Sequence, residues 1–152
     1  EKFYKTVCGG RLEPVLDTLK RMVAMGVWVE VTTLVIPYYN DSPQELHPIA
    51  QFIYAELGPE VPWHISQFHP AYKLTQSVRT PLATLHKARQ IGLETGLKYV
   101  YTGNVPGDEG ENTNCPSCGQ VVIGRFGYHI QQYNVENSRC SKCGSIIAGE
   151  FE

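Results

Sequence analysis

Residues 27–36 read VWVEVTTLVI, and this stretch decides the fold. It is rich in β-branched residues and lacks clean alternation between apolar and polar positions, which is typical of a strand with both faces covered. Pro37 ends the strand, because proline has no backbone N–H to donate. Upstream, apolar residues recur at helical spacing between Leu12 and Val23, with Gly26 as the stop. A helix followed by a buried strand indicates an α/β protein.

Helices and strands keep alternating along residues 1–103, which form the first predicted domain. Each predicted helix carries an apolar stripe at helical spacing, and each predicted strand is a short β-branched or aromatic run. In chain order these are a helix opening at Ser42 with a capping box from Glu45, a strand at 63–68, a helix capped by Thr80 and Pro81, and a strand at 97–102. Such alternation predicts parallel strands joined by right-handed crossovers. Three parallel strands preceded by a helix are typical of the last half of a larger β/α fold.

The composition bounds the class of protein and its partners. The chain has 152 residues, a net charge of −2, 42% hydrophobic residues and 18% charged residues, as in a globular protein. No basic run is present, which argues against a nucleic-acid partner because phosphate contacts need excess Lys and Arg. No apolar stretch approaches about 18 residues, the length of a membrane span. The first residues lack the layout of a signal peptide, so we expect a cytoplasmic protein.

Four of the five cysteines form two matched CxxCG units, Cys115 with Cys118 and Cys140 with Cys143. Each unit is a tight turn that directs two sulfur atoms toward one point, and its trailing glycine lets backbone amides fold over the sulfurs. Two such units predict tetrahedral ligation by four thiolates, which suits zinc or a single iron in a rubredoxin-like arrangement. Because four ligands fill the coordination shell, we expect a structural site rather than a catalytic one.

The same cysteines delimit a small C-terminal module. Residues 115–152 are predicted to form a metal-binding, zinc-ribbon-like unit with strands at 121–123 and near 128–135, and residues 104–114 to link it to the first domain. A module of this size buries too little apolar surface to fold without its metal. His129 lies between the two turns and is interpreted as an ordinary ribbon residue, since four cysteines already satisfy the metal.

Polar residues in or after the predicted strands are further candidates. His69 follows the second strand, where β/α folds place ligand-binding side chains; the alternative is that it simply bonds a neighbouring carbonyl. His64 is interpreted as a surface or hydrogen-bonded residue. Glu30 lies inside an apolar strand, so it faces a polar barrel interior or pairs with a cation. We expect His69, Asn104 and the loop 38–41 on the edge where the parallel strands end.

Four segments of the sequence resemble one known family. They are FYKTVCGGRLEPVL at 3–16, VEVTTLVIPYYNDS at 29–42, WHISQFHPAYK at 63–73 and YVYTGNVPGDEGENTNCPSCG at 99–119. Together they resemble the C-terminal part of a radical S-adenosylmethionine enzyme, in particular the radical enzyme of the AmmeMemoRadiSam system, which is similar to pyruvate formate-lyase activating enzyme. The resemblance covers nearly the whole chain.

The resemblance implies a partial TIM-like barrel with its active site where the strands end. In this family a 4Fe-4S cluster, held by a CxxxCxxC loop, cleaves S-adenosylmethionine to a 5′-deoxyadenosyl radical. No CxxxCxxC occurs in the 152 residues, so the cluster ligands lie upstream of Glu1 or are absent, and we expect this chain alone to be inactive. The family's cofactor contacts carry over to Val35, in the strand that ends TLVIP, and to His69 in QFHP.

Two functions therefore compete. The first is the C-terminal fragment of a radical S-adenosylmethionine enzyme that carries a structural zinc ribbon; its substrate is unknown, and a protein is one candidate because the relatives act on a protein glycyl residue. The alternative is a stand-alone small α/β zinc-binding module that docks a partner protein or nucleic acid. The nearly balanced charge of the ribbon weakens the nucleic-acid version. A CxxxCxxC motif upstream of Glu1 would decide for the first.

Overall fold

A three-stranded parallel sheet forms the centre of the first part of the chain, and the predicted α/β class is confirmed. The computed structural model describes residues 1–151; Glu152, the last residue of the predicted ribbon, lies outside them. In this part the elements are α1 (Leu12–Ala24), β1 (Val31–Val35), α2 (Pro43–Phe52), β2 (Trp63–Gln67), α3 (Leu82–Thr95) and β3 (Val100–Gly103). The strand order is β1-β2-β3, and the register places Thr32, His64 and Tyr101 side by side.

One face of this sheet packs against the helices. The side chains of Trp63, Ile65 and Val35 point to this face and are fully buried. They meet a helical layer that comes mainly from α2 and α3, where Leu46 and Leu85 are also buried. The single π-helical turn that follows α2, Ile53–Leu57, completes the layer. Burying side chains of this size contributes roughly 1.5–3 kcal/mol each, so this layer is the main source of stability for the first part of the chain.

The opposite face of the sheet is more open than the sequence predicts. We expected a strand over 27–36 with both faces covered, but β1 begins only at Val31, and half-buried and exposed residues alternate along it up to the buried Val35. Leu34 keeps 42% of its surface exposed, and Thr32 beside it is exposed as well. The prediction of two covered faces is therefore wrong for the described residues. Residues 27–30 are not a strand, because backbone pairing with β2 starts only at Val31.

The predicted helix caps are also wrong in detail. Ser42 precedes α2 without a side-chain hydrogen bond to the helix, so no capping box forms with Glu45. Thr80 does not cap α3, whose N-cap residue is Pro81. The Thr80 hydroxyl instead joins two strands: it donates to the carbonyl oxygen of Val35 at 2.6 Å and accepts from the backbone N–H of Phe68 at 2.9 Å.

Residues 104–114, predicted as a linker, carry structure of their own. They contain a short 3₁₀ turn (Glu109–Glu111) and a strand, β4 (Thr113–Asn114). Asp108 holds this segment to the first part of the chain: its carboxylate accepts hydrogen bonds from Thr102 at 2.5 Å and from Gly110 at 3.0 Å, and lies 2.6 Å from His86 Nε2. Burial alone raises the pKa of this carboxyl, but these partners outweigh it and the pKa is lowered.

A second, antiparallel sheet forms the cysteine-containing part. Its strand order is β4-β5-β6, with β5 at Val121–Phe126 and β6 at His129–Tyr133. A short hairpin of β7 (Val135–Glu136) and β8 (Arg139–Cys140) follows. Tyr99, next to the parallel sheet, is buried in the same apolar cluster as residues of this part, so the two parts share a core. Among the described residues, no helix combines the length and the apolar character that crossing a membrane would require.

Candidate metal centre and the adjoining cleft

The two CxxCG turns have nearly the same backbone geometry. In the first, the N–H of Gly119 donates to the carbonyl oxygen of Cys115 at 2.9 Å; in the second, the N–H of Gly144 donates to that of Cys140 at 2.8 Å. Both glycines have positive φ, 71° and 73°, a conformation in which a side chain would be strained. The motif therefore fixes two copies of one turn, and each presents a pair of sulfur atoms on the same side.

The turns bring all four predicted ligands together. The sulfur atoms lie within 4.8 Å of one another. Cys115 Sγ is 3.6 Å from Cys143 Sγ, and Cys118 Sγ is 3.8 Å from Cys140 Sγ. A tetrahedral zinc site with bonds of about 2.3 Å has sulfur–sulfur edges of about 3.8 Å, so these two sulfur pairs already have the spacing that zinc ligation requires. His129 is exposed on β6 and does not belong to this group of ligand atoms.

The second cysteine of each turn receives a backbone hydrogen bond from the residue after the glycine. For Cys143, the hydroxyl and backbone N–H of Ser145 lower the thiol pKa to about 6. For Cys118, the backbone N–H of Gln120 lowers the pKa, but burial and the three neighbouring sulfurs outweigh it and raise the value to about 11. Four sulfurs this close repel one another as thiolates, and a bound dication removes that repulsion.

The predicted cofactor residues Val35 and His69 occupy different environments. The Val35 side chain is fully buried in the helical core, and its carbonyl oxygen already accepts the Thr80 hydroxyl. His69 is exposed just after β2 and lines an open cleft together with Asn104, whose amide donates to the carbonyl oxygen of Gln67 at 3.1 Å. The cofactor contacts of Val35 and His69 stay predictions.

This cleft runs between the open face of the parallel sheet and the cysteine-containing part. It has a volume of about 1250 Å³. Trp28, Glu30 and His64 line the sheet side, and Arg125 and Tyr133 line the side formed by β5 and β6. The sequence had singled out part of this surface: Glu30 as facing a polar barrel interior or paired with a cation, and His69 and Asn104 as lying where the parallel strands end. It did not predict the opposite side of the cleft, which comes from β5 and β6.

Two tyrosines attach the cysteine-containing part to the sheet. Tyr99 accepts a hydrogen bond through its hydroxyl from the backbone N–H of Ala148 at 2.9 Å. The Tyr101 hydroxyl lies 3.0 Å from Thr113 Oγ1, to which Arg125 also donates at 2.7 Å. Burial raises the pKa of the Tyr101 phenol, so this group stays protonated at neutral pH.

Sequence comparison finds one relative of greater length. No protein-family model matches the chain. The chain is 52% identical over 134 residues to uncharacterized protein MJ0808 of Methanocaldococcus jannaschii. The match takes in 88% of this chain but only 40% of that relative, so the chain spans less than half of its length.

Comparison of folds finds a similar solved domain. The structure is similar to a domain of pyruvate-formate lyase-activating enzyme from Bacteroides vulgatus, with a TM-score of 0.58 and 15% sequence identity. The similarity covers 68% of this chain and 60% of that domain. At this level of identity the comparison shows a shared fold, a mixed α/β arrangement built on a parallel sheet.

Proposed function

We propose that this chain is the C-terminal part of a radical S-adenosylmethionine enzyme of the AmmeMemoRadiSam type, that the ligands of the 4Fe-4S cluster lie outside it, and that its four-cysteine site is a structural zinc ribbon. The observation that carries the proposal is the parallel sheet similar to a domain of pyruvate-formate lyase-activating enzyme. The polar face of the sheet is then part of the interior of a partial TIM-like barrel. The substrate is unassigned, and a protein is a candidate.

The length of the relative supports this reading. The matched segment is 40% of the Methanocaldococcus protein, which leaves room there for further β/α units. In the proposed parent enzyme, such units pair with β1, whose outer edge has no partner among residues 1–151. A strand edge presents a row of unpaired backbone N–H and C=O groups, and a continued barrel would supply their partners.

The cysteines of this chain do not fit a catalytic cluster. A cluster that binds S-adenosylmethionine needs three thiolates and one open iron. Four of the five cysteines converge on one tetrahedral position, and the fifth, Cys8, is exposed near the chain start. We therefore assign Cys115, Cys118, Cys140 and Cys143 to a closed metal site with no chemical step of its own. Thiolate ligation also suits the reducing cytoplasm.

Reconstitution tests the proposal. Both the chain and the full-length Methanocaldococcus relative are treated anaerobically with iron and sulfide, reduced with dithionite and given S-adenosylmethionine. We expect 5′-deoxyadenosine from the full-length relative and none from the chain. A full-length protein without a CxxxCxxC motif, or without 5′-deoxyadenosine after it takes up four irons, contradicts the proposal and favours a stand-alone binding module. Formation of 5′-deoxyadenosine by the 152-residue chain contradicts it equally.

A further inference from the structure

The open face of the parallel sheet carries an ordered row of polar side chains. Thr32, His64 and Tyr101 lie side by side on three neighbouring strands. Next to them along the strands, Trp63, Ile65 and Val100 are buried in the helical core. Parallel sheets usually present apolar residues on both faces. His64 and Tyr101 line a cleft of about 1250 Å³, and polar side chains placed there need another explanation than core packing.

Glu30 determines which ring nitrogen of His64 carries the proton. One carboxylate oxygen of Glu30 accepts the indole N–H of Trp28 at 3.0 Å, and the other lies 2.8 Å from His64 Nε2. A carboxylate can only accept, so Nε2 of the neutral imidazole carries the proton and Nδ1 is the acceptor. Among residues 1–151, His64 Nδ1 has no hydrogen-bond partner. Every fully buried side-chain nitrogen or oxygen there does have one, so Nδ1 is not buried. Nδ1 is therefore open to the cleft.

Tyr101 packs against one face of the same imidazole ring. The two rings are stacked, with centroids 5.0 Å apart and planes inclined by 22°. Tyr101 is itself held by the Thr113 hydroxyl and by the guanidinium of Arg125, which lies 5.8 Å from the centre of its ring. A ring fixed by a carboxylate at one edge and a stacked neighbour on one face loses little entropy when a ligand binds.

The charges of the cleft limit the class of ligand. Glu30, Glu111 and Glu150 line it, and Arg125 is the single Lys or Arg among its lining residues. Part of the hydrogen-bonding capacity of the Arg125 guanidinium is already occupied, because Nη1 donates to the backbone oxygen of Glu111 and to the hydroxyl of Thr113. An excess of carboxylates disfavours anions and favours neutral or cationic ligands.

We propose that this face of the sheet binds a small ligand that presents an O–H or N–H group and carries no negative charge, and that His64, oriented by Glu30, accepts the ligand's hydrogen bond at Nδ1. The site is built by the chain's own residues and does not depend on radical chemistry. A longer parent chain without 5′-deoxyadenosine activity would leave it standing.

Nitrogen NMR of the zinc-loaded chain tests the site directly. Ethanolamine, which carries both an ammonium and a hydroxyl group, serves as the probe, and acetate serves as the anionic control. His86 is the matched control residue, since it is also paired with a carboxylate, that of Asp108 at 2.6 Å, but does not line the cleft. At pH 8, where an ordinary imidazole is neutral, we expect His64 in the Nε2–H form. Ethanolamine should shift the Nδ1 resonance of His64 and leave His86 unchanged, and acetate should shift neither.

The variant Glu30→Gln checks the orienting role. Gln can donate as well as accept, so both protonation forms of His64 become populated, and we expect ethanolamine to bind about tenfold more weakly. Zinc content and the near-ultraviolet circular dichroism of the buried Trp63 report whether the variant is folded. An Nδ1–H form of His64 in the unmodified chain would overturn the proposal, whatever the variant does. Equal responses of His64 and His86, or equal responses to acetate and ethanolamine, would also overturn it.

Discussion

Thr80 shows how one hydroxyl can join two strands at the edge where ligands are expected. It is fully buried, and its Oγ1 donates to the Val35 carbonyl oxygen and accepts from the Phe68 N–H. Its own carbonyl oxygen accepts the side-chain amide of Gln67 at 2.7 Å. These bonds hold the ends of β1 and β2 at a fixed distance, which in turn positions His69 at the rim of the cleft.

Replacing Thr80 by Val should therefore destabilise the chain by about 2–6 kcal/mol, because two buried backbone groups lose their partner and each costs roughly 1–3 kcal/mol. Urea unfolding followed by tryptophan fluorescence measures the change. Thr80→Ser is the matched control: it keeps the hydroxyl and loses one methyl group, worth about 1 kcal/mol. If the Val variant were no less stable than the Ser variant, the hydroxyl would not join the strands.

The cysteine turns and the His64 site differ in what made them predictable. Each CxxCG turn is closed by hydrogen bonds between residues four or five apart, so local spacing was enough to predict its shape. Glu30 and His64 are 34 residues apart and meet only because β1 and β2 are neighbours in register. No pattern in either strand alone specifies that register, and the pair could not be predicted from the sequence.

Among the elements, periodicity and β-branched runs located α1, α2, α3 and the three parallel strands, because such patterns are local properties of the chain. The π-helical turn at Tyr4–Cys8 was not predicted. The residues at which these helices and strands begin and end were less predictable. The Thr80–Pro81 pair has the composition of a helix cap. The Thr80 hydroxyl does not cap α3, however, because it bonds backbone groups at the ends of two strands instead. Likewise, residues 27–29 are apolar enough to continue a strand, but the register of β2 gives them no partner.

Helix α3 packs closely on the sheet at Gly92, and a side chain there should be costly. A Cβ at this position would lie 2.9 Å from Trp63 and 3.0 Å from Val100. Gly92→Ala gains about 1 kcal/mol of helix propensity. Overpacking a core costs typically 1–3 kcal/mol, so the clash outweighs the gain and we expect a net loss of about 1 kcal/mol. Urea unfolding measures the change in the free energy of unfolding.

The control is Lys87→Ala, at an exposed position on the same helix, which should change stability by less than about 0.5 kcal/mol. A Gly92→Ala chain more stable than the unmodified one would show that α3 can move away from the sheet.

For the molecule as a whole, the metal site and the sheet face are physically connected. The cluster that contains Cys115 and Cys140 also contains Tyr99, and the second wall of the cleft is built by β5 and β6. Loss of the metal should therefore remove one wall of the cleft as well as the fold of the cysteine-containing part. The helical layer lies on the other face of the sheet, so it should persist.

Cys140→Ser tests this division. Cys140 is buried, and serine in its place removes one of the four proposed ligands. Structural zinc contributes about 10–16 kcal/mol to the folding of zinc-finger peptides, so its loss should unfold this part of the chain. We expect the unmodified chain to carry about one equivalent of zinc or iron and the variant to lose it. Hydrogen exchange should then become fast from β4 onward, while β1 and β2 stay protected.

The control is Cys8→Ser, which changes an exposed cysteine outside the site and should keep both the metal and the protection. Disulfide-bonded, metal-free cysteines in the unmodified chain would rule out the metal site, and fast exchange in β1 and β2 of the Cys140 variant would show that the sheet depends on the ribbon for its own stability.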